Sequence, residues 1–380
     1  MAITLISSPA AILEGNYPNV WTLTSDASTI VEMSATIAFV GLTNQPEIVQ
    51  RPNPSTTGTF TFDISNLLQD MLGNDLQALG AIKDQSASNS TVYPAIIQFN
   101  ELLLSSGQLV LGDDLTISPT QLAINAAWQP ENTQGLPSRI MDTSVVGFEK
   151  FLTNSPITLK TRAGESYQLG VYSNSSSISN IRVNIYNSSG LLSTNLLAYS
   201  TSRTGRYDIC CGYDNIVAAG LSLTDATYYT INLADGSSRQ SEIIRFNIDD
   251  TCYLNPVRVV WLNRWGGYDA YTFEGEAING QSTTSLSRER YRGQGATASS
   301  RGRGYTKRNT IKQIVASTGL LTKETREWLS ELFGSPDIYI VQNNQYIPVQ
   351  VQDGAYQWGS DSDSISINIT YAYNVASQRQ

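Results

Sequence analysis

The sequence predicts a mainly β protein, with two β-sandwich-like domains followed by a β domain that carries one short packed helix. Three observations predict it. Short runs in which apolar and polar residues alternate recur along the chain, which is the period of a half-buried strand. Clusters of Gly, Pro, Asn and Ser separate these runs and mark turns. The clearest helical stripe is confined to one segment near the carboxyl end. The chain has 380 residues, enough for two or three domains. The expected domains are 1–145, 146–250 and 251–380.

In the first domain, Asn19–Leu23 and Ser34–Val40 alternate as strands do. Arg51–Gly58 (RPNPSTTG) is a loop by its Pro and Gly content, and Thr59–Phe62 is a short strand. Asp63 is placed to cap a short helix over Ile64–Met71, with Gly73 ending it. Tyr93–Asn100 and Gln108–Leu111 are further strands. Adjacent strand residues point to opposite faces, so Asp113 and Asp114 are expected in a turn rather than at a calcium site.

In the second domain, Pro156–Lys160, Ser166–Val171 and Ile178–Tyr186 have strand character. Alternation puts Ile181, Val183 and Ile185 on one face, and Arg182, Asn184 and Tyr186 on the other. Ser173–Ser177 and Asn187–Gly190 are turns, and Thr227–Asn232 and Ser241–Ile248 continue the strands. The Asn-x-Ser triplets at Asn174 and Asn187 become glycan acceptors only in a secretory setting.

The third domain begins with Tyr253–Gly275, YLNPVRVVWLNRWGGYDAYTFEG. This is a strand, a tight Gly266-Gly267 turn and a second strand. Six of its twenty-three residues are aromatic: Tyr253, Trp261, Trp265, Tyr268, Tyr271 and Phe273. Aromatics bury large areas, so the hairpin is either core or a contact element. The helix is expected over 322–333, with Thr322 as N-cap, Glu324 complementing the helix dipole, and Trp328, Leu329, Leu332 and Phe333 as one apolar stripe. Gly334 and Pro336 end it. Ser364–Tyr373 alternates, with Ile365, Ile367 and Ile369 on one face of a closing strand.

Composition restricts the chemistry. Hydrophobic residues make up 41%, which fits globular folding, and charged residues only 15%. A surface of neutral polar groups suits large permanent contacts, because little charge has to be desolvated. Histidine is absent, where an average composition of roughly 2% would supply about eight. That removes Ser-His-Asp and Cys-His catalysis, histidine metal sites and the commonest general acid–base. No P-loop and no GxSxG run occurs. Asp249-Asp250 and the acids of Asp361–Ser364 lack ligand spacing and are loop acids. No enzyme activity, cofactor or metal is expected. Cys210, Cys211 and Cys252 make neither an even framework nor a CxxC site. They are expected to be small buried apolar residues in a reducing compartment. The amino terminus has no signal-peptide pattern, and no run approaches a membrane span. Synthesis in a host cytoplasm is the expectation.

The segment LNRWGGYDAYTF, Leu262–Phe273, resembles one found in structural proteins of tailed bacteriophages of Bacteroidota and related prophages. Thr322–Pro336 (TKETREWLSELFGSP), Ile338–Val351 (IYIVQNNQYIPVQV) and Phe60–Leu72 (FTFDISNLLQDML) resemble further pieces of the same group. The resemblance implies a virion protein, most naturally of the tail, and brings no catalytic motif with it.

Charge is uneven. Arg288, Arg290, Arg292, Arg301, Arg303, Lys307, Arg308 and Lys312 face only Glu289 within 288–312. That segment carries +7 in a chain of net charge −9, so the remainder carries −16. Its Gly and Ser content makes it a loop, mobile on its own. Three readings stand. The loop docks on an acidic surface of a neighbouring subunit, or faces nucleic acid, or is a solvated hairpin tip. The expected function is a structural ring component of a phage tail: hub, baseplate or tail tip. Its partners would be copies of itself and other tail or connector proteins. A head–tail connector ring, with the basic loop on DNA, is one alternative, and a receptor- or glycan-binding module another. Candidate interface residues are Trp261, Trp265, Tyr268 and Tyr271 on the hairpin, together with Arg288, Arg290, Arg292, Arg301, Arg303, Lys307 and Arg308.

Overall fold

Alternating strands need partners to bury one face, and in this chain they find them mainly in antiparallel hairpins. The computed structural model describes residues 3–8, 12–14, 19–27, 29–39, 47–50, 59–65, 68, 92–124, 140–141, 150–173, 179–199, 205–235, 238–239, 241–289, 294, 303–351, 365–371 and 376–379. The protein is mainly β. The chain forms two compact units. One holds Met1–Thr153, Ile157–Ile248 and the turn Asn263–Gly267, and the other holds Asn154–Pro156, Asp249–Leu262 and Tyr268–Gln380.

The first unit begins with β1 (Ile3–Ser7), β2 (Ile12–Glu14), β3 (Val20–Ser25), β4 (Ile30–Phe39), β5 (Glu47–Gln50), β6 (Thr59–Asp63), β7 (Val92–Ser105), β8 (Gln108–Ile124) and β9 (Ile140–Met141). One sheet runs β1-β3-β6 and another β2-β8-β7-β4-β5. Their inner residues share one core: Trp21 and Leu23 of β3, Phe60 and Phe62 of β6, and Met33, Ala35, Ile37, Ile97 and Phe99 of β4 and β7. The Phe99 ring lies 5.8 Å from Trp21 and 5.5 Å from Phe62. This is a β-sandwich, built from strict alternation. Ser65 and Leu68 are helical, as expected, and Asp63 Oδ1 accepts from Ser65 N at 3.0 Å. Ile64 precedes the helical residues, and residues 66–67 and 69–71 of the expected helix, the loop at 51–58 and residues 174–177 lie outside the described residues.

The same unit continues with β10 (Thr158–Thr161), β11 (Gln168–Ser173), β12 (Asn180–Asn187), β13 (Gly190–Ala198), β14 (Gly205–Cys210), α1 (Tyr213–Ala218), β15 (Tyr228–Asp235), β16 (Ser238–Arg239) and β17 (Ile244–Ile248). The sheets run β10-β17-β15-β12-β13, with β16 on β15, and β14-β11-β9. Ile181, Val183 and Ile185 are buried and Arg182, Asn184 and Tyr186 are not, as the alternation requires. Tyr229 donates its hydroxyl to the Cys211 carbonyl at 2.8 Å. Cys210 and Cys211 are buried free thiols, whereas Cys252, also free, is exposed. Strands β13 and β14 and helix α1 were not expected from the sequence.

The second unit holds β18 (Val257–Leu262), β19 (Tyr268–Phe273), β20 (Ala277–Glu289), β21 (Arg303–Ser317), α2 (Lys323–Leu329), α3 (Glu331–Gly334), β22 (Ile338–Gln342), β23 (Gln345–Val351), β24 (Ser366–Tyr371) and β25 (Ala376–Arg379). One sheet runs β19-β18-β22-β23-β24-β21-β20, with β25 on β21. Thr322 caps α2 by accepting from Thr325 N at 3.3 Å. Trp328, Leu329 and Leu332 are buried, and so are Ile365, Ile367 and Ile369.

Two expectations are corrected. Asp113 and Asp114 lie within β8, not in a turn. The turn comes earlier, at Ser106 and Gly107, both with positive φ, and β8 continues because β7 pairs with it from Ser105↔Gln108 to Val92↔Ile124. The basic stretch is strand, not loop, at both of its ends, and residues 290–293 and 295–302 lie outside the described residues. Arg288, Arg303, Lys307, Arg308 and Lys312 are strand residues, because β20 and β21 pair from Ala277↔Ala316 to Glu289↔Arg303.

The expected hairpin forms from β18 and β19. In its turn, Asn263 Oδ1 accepts from Trp265 N at 2.9 Å and Gly267 N at 3.0 Å, while its Nδ2 donates to Leu152 O at 2.8 Å. Gly266 has φ 80°, and a Cβ on Gly267 would stand 2.6 Å from Leu152 O. Gly267→Ala should therefore destabilise the protein by about 1–3 kcal/mol, seen as a lower urea midpoint. An unchanged midpoint would refute the close approach.

Candidate functional site

The aromatic hairpin is core. Trp261, Trp265 and Tyr268 are buried, so three of the four aromatics expected as interface anchors offer no surface to a partner. The reason lies in the pairing. Trp261↔Asp269 and Val259↔Tyr271 put one face of the hairpin under α2, where Trp328 stands 5.2 Å from Trp261 and 6.1 Å from Tyr271. Leu262↔Tyr268 and Val260↔Ala270 fill the other face, which is also buried. Trp328 Nε1 donates to the buried Asp269 Oδ2 at 2.7 Å, and the Tyr268 hydroxyl donates to Asp337 Oδ2 at 2.6 Å. Tyr271 is half-buried, and burial, with Glu274 and Tyr253 nearby, holds its phenol well above the usual range. Burial, reinforced by Asp337, pushes Tyr339 up to about 12.

The basic residues stand differently. Arg288 and Arg308 are exposed on the β20–β21 arm, and Arg308 Nε donates to Ser285 Oγ at 3.4 Å. Arg303 and Lys307 belong to β21, in register with Glu289 and Leu286. Arg290, Arg292 and Arg301 lie outside the described residues. Every residue from Ile278 to Arg288 is exposed. At the base of the arm, Asn279, Gln281, Lys312, Gln313, Gln342 and Tyr371 line an open groove of about 420 Å³. Lys312 Nζ sits 5.9 Å over the Tyr371 ring, whose hydroxyl donates to Gln342 at 3.0 Å. The groove offers amides and one cation, chemistry that binds polar groups without reacting with them.

A second surface escaped the sequence reading. At the β7–β8 tip, Leu104, Leu109, Val110 and Leu111 are exposed, up to 81% for Leu111. Register pairs Leu104 with Leu109 and Leu102 with Leu111, so leucines cluster on one side of the tip. Exposed Asp113 and Asp114 follow on β8. The signal was present in LLLSSGQLVLG: leucines on both sides of a turn, without the alternation of a half-buried strand.

No group of three or more His, Cys, Asp or Glu among the described residues is arranged to hold a metal ion, and no described helix is long and apolar enough to cross a membrane.

Two predictions test this geometry. Trp328→Phe keeps the ring but strips Asp269 of a donor, and should cost about 1–3 kcal/mol in denaturant unfolding. A raised phenol contributes stability that is intact below the unfolded value of 10.0 and lost as pH climbs through about 12. The fall in stability between those limits should thus be shallower in Tyr339→Phe than in the parent. Matching slopes would exclude Tyr339 from it. No protein-family model matches the chain, and comparison with curated proteins finds no similar sequence.

Proposed function

We propose that the chain is a non-enzymatic structural component of a phage virion, a tail hub, baseplate or tail-tip ring protein that assembles through subunit interfaces. One observation carries the reading. A long two-stranded arm, exposed along β20 and bearing most of the segment's +7, belongs to a chain whose remainder carries −16. Opposite charges on separate surfaces of one subunit suit head-to-tail contacts, which close rings. The sparse surface charge supports large permanent interfaces. The resemblance of Leu262–Phe273 and Thr322–Pro336 to phage structural proteins supplies the setting, the virion tail.

A connector ring remains the alternative within this class, with the arm on DNA. Binding of duplex DNA by the isolated protein, weakening steeply with salt, would favour it. A glycan-binding module would need exposed aromatic platforms. The burial of Trp261, Trp265 and Tyr268 takes the hairpin away from that reading.

The test is mass in solution by light scattering at low and high salt. A discrete ring-sized oligomer that dissociates as salt rises is expected. A monomer under every condition, up to the solubility limit, would overturn the reading.

A further inference from the structure

Two exposed surfaces of this chain complement each other, and resting on the assembly reading, we propose that they form the contact between copies. The leucine tip of β7–β8 in one copy seats on the exposed face of the β20–β21 arm in the next, with Asp113 and Asp114 meeting Arg288 and its neighbouring cations.

The tip is apolar and acidic. Leu104, Leu109 and Leu111 are exposed, as are Asp113 and Asp114, and residues 100–115 contain no Lys or Arg. Leucines in solvent at a hairpin tip contribute nothing to their own fold, and burying each in a partner is favourable. The flanking acids choose a basic partner.

The arm is apolar and basic. Alternation along β20 puts Ile278, Ser282, Leu286 and Arg288 on one face. Register adds Val315 opposite Ile278 and Ile311 opposite Ser282. Ile278, Leu286 and Val315 are exposed. The face thus carries Ile278, Val315, Ile311 and Leu286 among small and neutral polar residues and ends in a cation, whereas the tip carries leucines followed by acids. The other face of the arm is polar: Thr283 pairs with Thr310, and Ser285 with Arg308. Tip and arm are different patches, so the contact is heterologous and leaves one copy with its arm, and the other with its tip, still to be used.

The test is a charge exchange. Chains carrying Asp113→Lys and Asp114→Lys, and separate chains carrying Arg288→Glu, should each associate about tenfold or more weakly than the parent. Mixed in equal amounts, they should recover oligomers, because each tip now faces an arm of opposite charge. In a Cys252→Ser background, a Leu111→Cys chain and a Leu286→Cys chain should form an intermolecular disulfide on mixing under mild oxidation. All three charge substitutions fall at exposed positions, and unchanged thermal unfolding would confirm intact folds. An oligomer insensitive to both charge changes, or one lost without recovery on mixing, overturns this contact and leaves the assembly reading standing. A tip–tip dimer, sensitive to the aspartate changes alone, overturns it equally. A parent chain that never associates overturns both.

Discussion

The second unit is organised around one buried charge. Asp269 on β19 is nearly inaccessible to solvent, and a carboxylate there is costly unless donors surround it. Trp328 supplies one from α2 at 2.7 Å. That bond fixes the helix on the sheet, because indole has a single donor and can satisfy it in one orientation only. With the helix so placed, Trp328 lies beside Trp261 and Tyr271, and the apolar stripe of α2 and α3 is covered. Thr322 sets where the helix starts, and the cap and the buried bond are six residues apart. A helix of seven residues has little stability of its own, so its position is a product of these contacts.

Burying both faces of β18 and β19 has a consequence for function. The richest aromatic segment of the chain is used internally, and recognition has to be carried by other residues. Those residues lie on long hairpins: the β20–β21 arm and the β7–β8 tip. Both hairpins carry exposed apolar side chains beside charge, predominantly positive on the arm and negative on the tip. Neutral Ser, Thr, Asn and Gln occupy much of β20 between them, which keeps the arm soluble without adding charge to be desolvated.

What the sequence disclosed follows from which signals are local. The helix over 322–333 was legible because its cap, its stripe and its stop are all within a dozen residues. The strand with Ile181, Val183 and Ile185 was legible because one face is wet and the other dry. Alternation assigns no inner or outer face where both faces are alike. Strand β18 is dry on both sides and the tip of β7–β8 is wet on both, so neither shows a clean period of two. Nor does composition separate a core tryptophan from an interface one, since both want large buried areas. The ends of the basic stretch were misread because the Gly- and Ser-rich run between them favours a loop locally. Its strands are held by long-range pairing with β24 and β25, which no local pattern reports.

An open strand edge constrains what the arm can be. β20 ends the sheet, so among the described residues one side of its backbone has no strand partner over thirteen residues. Such an edge recruits other strands indiscriminately unless it is blunted. Here the pairing slips between Leu286 and Ser287, a break in register that alters the local twist, and Arg288 follows at once. Together they make pairing with a like edge costly in any register that brings the two Arg288 side chains together. A basic arm therefore repels its own kind and accepts an acidic surface. Self-assembly through two unlike patches needs that asymmetry, whereas pairing through one self-complementary patch would be opposed by it.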